Sequence, residues 1–115
     1  MAWSVYYPPQ VSAMVPGEYG TTATIAVNST VGGIELVAED TTNAKQRFIN
    51  IGCPANSPLV YCSIGGAPTT TSYSFILERG AQRLSLAIGP QQIKAICASG
   101  ETVDINVQVA QAVEL

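Results

Sequence analysis

Hydrophobic and polar residues alternate along much of the chain after about residue 45. The clearest alternation sets Val103, Ile105, Val107 and Val109 against Thr102, Asp104, Asn106 and Gln108. Similar alternations occupy residues 73–78 and 83–88. Because successive side chains of a strand point to opposite faces, this period of two predicts half-buried β-strands.

Other segments indicate strands without a clean alternation. Residues 59–64 and 93–98 are apolar on both faces, which is typical of strands near the centre of a sandwich. Residues 21–28 and 33–38 are rich in Thr, Val and Ile, the residues that favour strands. The sequence therefore predicts strands in both halves of the chain.

Turn-forming residues separate these segments. Gly89-Pro90 closes one strand, since proline cannot donate to a ladder. Ser99-Gly100 separates residues 93–98 from 102–109, a spacing typical of a tight hairpin. Turns at this density, between strands 8–12 residues apart, predict an antiparallel β-sandwich or a barrel of seven or eight strands.

The segment after residue 38 is less regular. Residues 39–43 are predicted to form a polar turn that leads into a strand at residues 46–51. A short helix over residues 41–47 is the alternative, although its apolar positions do not recur at helical spacing. The all-β domain is expected to span residues 20–115.

Residues 1–19 form an extended arm in this interpretation, because Pro8, Pro9 and Pro16 favour a polyproline-like backbone. Large apolar side chains occur along the arm and are the candidate partner interface: Trp3, Tyr6, Tyr7, Val11, Met14, Val15 and Tyr19. The arm either folds back on its own domain or docks on a neighbour, where Trp and Tyr are typical anchors. The sequence favours the neighbour slightly.

Composition narrows the partner class. Charged residues make up 11% of the chain, well below the ~25% of a typical soluble domain, so we expect a surface covered partly by Thr, Ser, Gln and Asn and partly by a partner. The net charge of −3 and the scattered basic residues argue against nucleic acid. No apolar run reaches the ~20 residues that span a bilayer, and the N-terminus does not resemble a signal peptide, which predicts use in a cytosol.

The three cysteines, Cys53, Cys62 and Cys97, are expected to be buried and reduced. Their number is odd, no CxxC pair occurs, and no histidine completes a zinc site. A Cys53–Cys62 disulfide is the alternative, which a reducing compartment disfavours.

Catalytic chemistry is not expected. The chain has no histidine and none of the common nucleophile or phosphate-binding motifs, so no catalytic, cofactor-binding or metal-binding residue is assigned. Glu35, Glu39 and Asp40 are interpreted as a solvated turn in preference to a cation site. Arg79 and Arg83 flank the Gly80 turn, where they either bind carboxylates of a partner or form a local ion pair with Glu78.

The order of features between residues 50 and 110 supports a resemblance. Asn50-Ile51-Gly52 is followed by the run 58–66 (PLVYCSIGG), a Thr-rich loop and the run 75–80 (FILERG). Next come a Leu-Ser-Leu strand, the run 93–100 (IKAICASG) and a closing run at 103–107 (VDINV). This order of strands and turns resembles that of small β-sandwich modules in tailed-phage structural proteins, including capsid decoration (cement) proteins and head or tail fibre components.

The resemblance implies a virion protein with an antiparallel β-sandwich or jelly-roll-like fold. Such a protein is assembled in the host cytoplasm, is homo-oligomeric, and binds the major capsid protein or other virion proteins. The leading hypothesis is a decoration protein that stabilises the head. The alternatives are a head–tail connector, fibre or tail component, and a receptor- or glycan-binding module that uses Tyr73 with the loop at residues 65–72.

Overall fold

The computed structural model describes residues 14–42 and 46–114, and the secondary structure of these residues is all β. Nine strands follow one another along the chain: β1 (Met14–Pro16), β2 (Ala23–Val27), β3 (Ile34–Val37), β4 (Arg47–Gly52), β5 (Val60–Ile64), β6 (Phe75–Leu77), β7 (Gln82–Ile88), β8 (Ile93–Cys97) and β9 (Val103–Glu114).

The strands form two antiparallel sheets. Sheet 1 has five strands. Four of them follow the order β1-β9-β4-β7, and the fifth, β2, pairs with β9 on the same side as β1. Sheet 2 has four strands in the order β3-β8-β5-β6. The long strand β9 organises sheet 1. Its residues 103–107 pair with β2 and its residues 112–114 pair with β1, while residues 106–111 pair with β4 on the opposite side.

Most connections carry the chain from one sheet to the other. Between the described strands, β5 and β6 are the consecutive pair that lie side by side in one sheet. The hairpin predicted at Ser99-Gly100 is therefore wrong, because β8 belongs to sheet 2 and β9 to sheet 1. The turn itself forms, with Glu101 N donating to Ala98 O over 3.1 Å and Gly100 at φ 82°, but it links two layers.

Both sheets contribute to a single hydrophobic cluster. Its members include Val27 on β2, Ile49 on β4, Val60 on β5, Ile93 on β8 and Ile105 on β9. The two segments that are apolar on both faces form β5 and β8, so the prediction of strands there is confirmed. These strands occupy the two interior positions of sheet 2.

A bulge in β7 changes which of its side chains face the cluster. Ile51 pairs with Arg83 and Ile49 pairs with Leu86, so Asn50 lies opposite two residues. Ser85 is the extra residue and has a φ of 54°. Its N–H donates to Asn50 Oδ1 over 2.9 Å. Leu84 is consequently 68% exposed, although its alternation with Leu86 suggested a common face.

The structure has one strand more than the seven or eight expected. The additional strand is β1, which lies within the segment assigned to the arm and pairs with residues 112–114 of β9. Gly17 N donates to Gln111 O and Gly20 N to Val109 O, so β1 and β2 continue one another along this edge. Of the alternative helix over residues 41–47, residues 41–42 form a turn and Arg47 begins β4, while residues 43–45 lie outside the described residues.

Candidate functional site

The arm residues assigned to a partner interface fall into two groups. Trp3, Tyr6, Tyr7 and Val11 lie outside the described residues. Met14 and Val15 form β1 and are half-buried against β9 of their own domain, as Tyr19 is beside it. The Tyr19 hydroxyl lies 3.1 Å from Ser85 Oγ on β7. For residues 14–19, then, the structure contains the fold-back arrangement.

Arg79 and Arg83 face different neighbours. The guanidinium carbon of Arg83 lies 5.1 Å from the centre of the Phe75 ring, a cation–π contact between β7 and β6. Arg79 lines a surface groove together with Glu78. Within the described part of the chain, neither arginine forms an ion pair with Glu78, so the local ion pair considered from the sequence is not present.

Arg47 is a structural residue that the sequence did not single out. It is 4% exposed. Its guanidinium donates to Ala38 O (2.9 Å), Gly89 O (3.1 Å from Nη2) and Gln91 O (2.7 Å). These carbonyls belong to the end of β3 and to the β7–β8 loop, so Arg47 joins three segments at one end of the sheets. Its spacing in the sequence carries no signal for this role.

The three cysteines are free and buried, as expected. Cys53 Sγ donates to Glu78 O over 2.8 Å, and the Cys53–Cys62 disulfide is not formed. Burial, with smaller effects from Cys53 and Cys97, raises the pKa of the Cys62 thiol from 9.0 to about 12. Burial also raises the pKa of the Cys97 thiol. Because the thiolate is the reactive form, burial makes these two thiols less reactive than exposed cysteines.

The acidic turn does not assemble into a metal site. Glu35 and Glu39 are exposed, and Asp40 is half-buried with its backbone N–H donating to Pro90 O over 2.9 Å. Among the residues that the structure describes, no group of three or more His, Cys, Asp or Glu side chains is placed to hold a metal ion.

An apolar row crosses the outer face of sheet 2. Val60 and Cys62 enter the core, so Tyr61 between them points outward, and its cross-strand partners are Ile76 on β6 and Ile96 on β8. The Tyr73 ring packs against Tyr61 with centroids 5.3 Å apart. We call the outward side chains of Leu59, Tyr61, Tyr73 and Ile76 the tyrosine face; Leu59 is 43% exposed and Tyr73 is 45% exposed.

A groove of about 620 Å³ borders the tyrosine face. Leu59 and Tyr61 form its apolar side, and Glu78, Arg79 and Glu101 supply its charges. An apolar surface with charged residues at its margin is typical of protein interfaces, where tyrosine and arginine are common anchors. The sequence placed Arg79 at such a surface, but it did not predict Leu59 or Tyr61, because the outward direction of both depends on the register of β5.

The outer face of sheet 1 has a different character. A groove of about 220 Å³ is lined by the carboxamides of four residues, together with Thr22 and Leu84. The four are Asn50, Gln82, Asn106 and Gln108. We call this the amide groove, and none of the ten residues that line it is charged.

The described residues include no helix that is long and apolar enough to cross a membrane. In comparisons with known proteins, the chain matches no protein-family model and no curated protein.

Proposed function

We propose that the chain is a non-enzymatic structural protein of a tailed-phage virion, and that it decorates the capsid. It would assemble in the host cytoplasm as a homo-oligomer and bind the major capsid protein. The resemblance over residues 50–110 suggests this setting. The strand order and an exposed apolar surface bordered by charged residues are compatible with it.

The observation that supports the proposal most is the strand order. Leaving β1 aside, the sheets run β2-β9-β4-β7 and β3-β8-β5-β6, and the chain crosses between them at nearly every connection. This is the order expected of a jelly roll, in which eight strands are divided between two sheets by Greek-key connections. We therefore infer a jelly-roll sandwich, an architecture common among viral capsid domains.

The tyrosine face supplies the contact surface in this proposal. Its four side chains lie on one face of sheet 2, with Leu59 and Tyr73 nearly half exposed. Arg79, Glu78 and Glu101 border the same groove and offer both signs of charge to a partner. Aromatic and aliphatic residues at the centre, with charges at the margin, match the organisation of a specific interface.

No reaction is required for the stabilisation. A protein that binds the assembled shell, and not its separated subunits, shifts the equilibrium toward assembly by mass action. Contacts that bridge neighbouring capsid subunits would raise the temperature at which the shell opens.

Copy number and heat resistance test the proposal together. Purified particles are analysed by quantitative mass spectrometry, and particles with and without the protein are then heated. We expect one copy for each capsid subunit or capsomer and a lower melting temperature for particles that lack it. A handful of copies per particle would favour the connector or fibre alternative. Absence from purified heads, with unchanged capsid melting, would refute the proposal.

A further inference from the structure

We propose that the amide groove on the outer face of sheet 1 is a binding site for an uncharged carbohydrate. The site is separate from the tyrosine face and goes beyond the decoration function. It also differs from the glycan site considered from the sequence, because Tyr73 and the loop at residues 65–72 belong to sheet 2.

The hydrogen bonds within the groove orient the carboxamides and leave part of their capacity free. Asn106 Oδ1 accepts from Thr24 Oγ1 over 2.9 Å, and Asn50 Oδ1 accepts from Ser85 N over 2.9 Å. In both cases the oxygen is engaged and the NH₂ group remains available. Gln108 donates through Nε2 to Gly20 O over 3.2 Å, which leaves its oxygen available.

Gln82 adds a carboxamide without a partner among the described residues, so it can both donate and accept. The groove thus presents donors from Asn50, Asn106 and Gln82 beside acceptors from Gln82 and Gln108. A hydroxyl group both donates and accepts, and a sugar carries several on neighbouring carbons. Mixed neutral donors and acceptors therefore match a sugar better than an ion.

Charge and shape agree with this ligand class. Because no lining residue is charged, the groove offers no ion-pair partner for an acidic or basic ligand. Its volume of about 220 Å³ accommodates a sugar ring. Leu84, 68% exposed, supplies apolar surface at the rim for the C–H face of such a ring.

Tyr19 contacts β7 next to the groove without lining it. Its hydroxyl lies 3.1 Å from Ser85 Oγ, and Ser85 directly follows Leu84. The β7 bulge serves the site as well, because it turns Leu84 outward and engages Asn50.

An extended peptide fits the groove less well. Peptides that bind sheets usually add a strand at an open edge. Here the floor is formed by β4 and β9, and each of these strands is already paired on both sides. The edge strand β7 also lines the groove, but its bulge at Ser85 limits pairing with another strand. A ligand in this groove is therefore bound through side chains and not through backbone pairing. Side-chain carboxamides are suited to binding the hydroxyl groups of a sugar.

The test uses the full chain labelled with ¹⁵N and titrated with maltose, cellobiose, lactose and N,N′-diacetylchitobiose. Concentrations extend to about 10 mM, enough to approach saturation at a Kd of 1 mM. We expect at least one sugar to shift the side-chain amide signals of Asn50, Gln82 and Asn106. Asn106→Ala and Gln82→Ala should each weaken binding about three- to tenfold.

Gln111→Ala is the matched control, because Gln111 is an exposed amide on β9 outside the groove and the substitution should leave binding unchanged. The proposal is overturned if none of the four sugars shifts these signals. It is also overturned if the shifts survive both groove substitutions, or if an uncharged Thr/Ser-rich peptide produces them where the sugars do not.

Discussion

Arg47 shows how one side chain can hold together an end of the fold. The guanidinium is enclosed at 4% exposure and satisfies three backbone carbonyls from two connecting segments. A carbonyl buried without a donor costs about 1–3 kcal/mol, more than an ordinary hydrogen bond gains. The planar fork is suited to this role, because its N–H groups point in fixed and divergent directions.

Replacing this guanidinium should therefore destabilise the whole domain. We expect Arg47→Met to lower the free energy of unfolding by about 2–4 kcal/mol in urea denaturation, since the carbonyls of Ala38, Gly89 and Gln91 lose their donor. Arg79→Met is the matched control on an exposed arginine and should change it by less than about 0.5 kcal/mol. Equal effects of the two substitutions would contradict the role of Arg47.

The buried thiol of Cys62 gives the stability a defined dependence on pH. Its pKa is 9.0 in an exposed chain and about 12 in the fold. Below pH 9 the thiol is protonated in both states and the full stability is present. Between pH 9 and about 12 the unfolded chain loses this proton while the folded chain keeps it, so stability falls by up to about 1.4 kcal/mol per pH unit.

This dependence can be isolated by comparison with Cys62→Ala. We expect the free energy of unfolding of the wild type to decline more steeply between pH 9 and 10.5 than that of the variant, whatever their difference at pH 7. Urea denaturation at each pH gives both slopes. Parallel slopes would show that the Cys62 thiol is not protected from ionisation.

At the scale of elements, β7 is the edge strand that departs most from its sequence pattern. An open edge exposes unpaired backbone groups, and bulges are one way in which proteins limit pairing with other chains. Ser85 supplies the bulge at φ 54°, a conformation that is costly for residues with a side chain and worst for β-branched ones.

Substitutions at Ser85 should follow this conformational cost. Ser85→Gly is expected to keep or slightly raise stability, because glycine adopts positive φ freely. Ser85→Val is expected to lose about 1–3 kcal/mol. Chemical denaturation of both variants measures the difference, and a valine variant as stable as the glycine variant would mean that the bulge is absent in solution.

Strand prediction succeeded where a local pattern sufficed. The alternation of Val103, Ile105 and Val107 identified β9, and the runs that are apolar on both faces identified the interior strands β5 and β8. The strand β1 was missed because it has only three residues, one of them Pro16, and so carries too short a pattern. The exposure of Leu84 was missed because a bulge adds one residue and reverses the alternation.

At the scale of the whole molecule, pairing could not be inferred from sequence order. Ser99-Gly100 forms the same tight turn whether the following strand pairs beside β8 or crosses to the other sheet. The choice depends on long-range contacts such as β4 with β9, which no local signal encodes. The same limit applies to the tyrosine face, because it combines a loop residue, Tyr73, with residues at and next to β5 and β6.

The central claim is that this chain stabilises a capsid through the tyrosine face. It is tested most directly by adding purified protein to particles that lack it and measuring the capsid melting temperature. The wild type and Val31→Glu, a control at an apolar side chain that is 95% exposed and lies outside both proposed binding surfaces, should restore the heat resistance. Leu59→Glu and Tyr73→Glu should not, although both remain folded by circular dichroism. Full restoration by Leu59→Glu and Tyr73→Glu, or none by the wild type, would contradict the account.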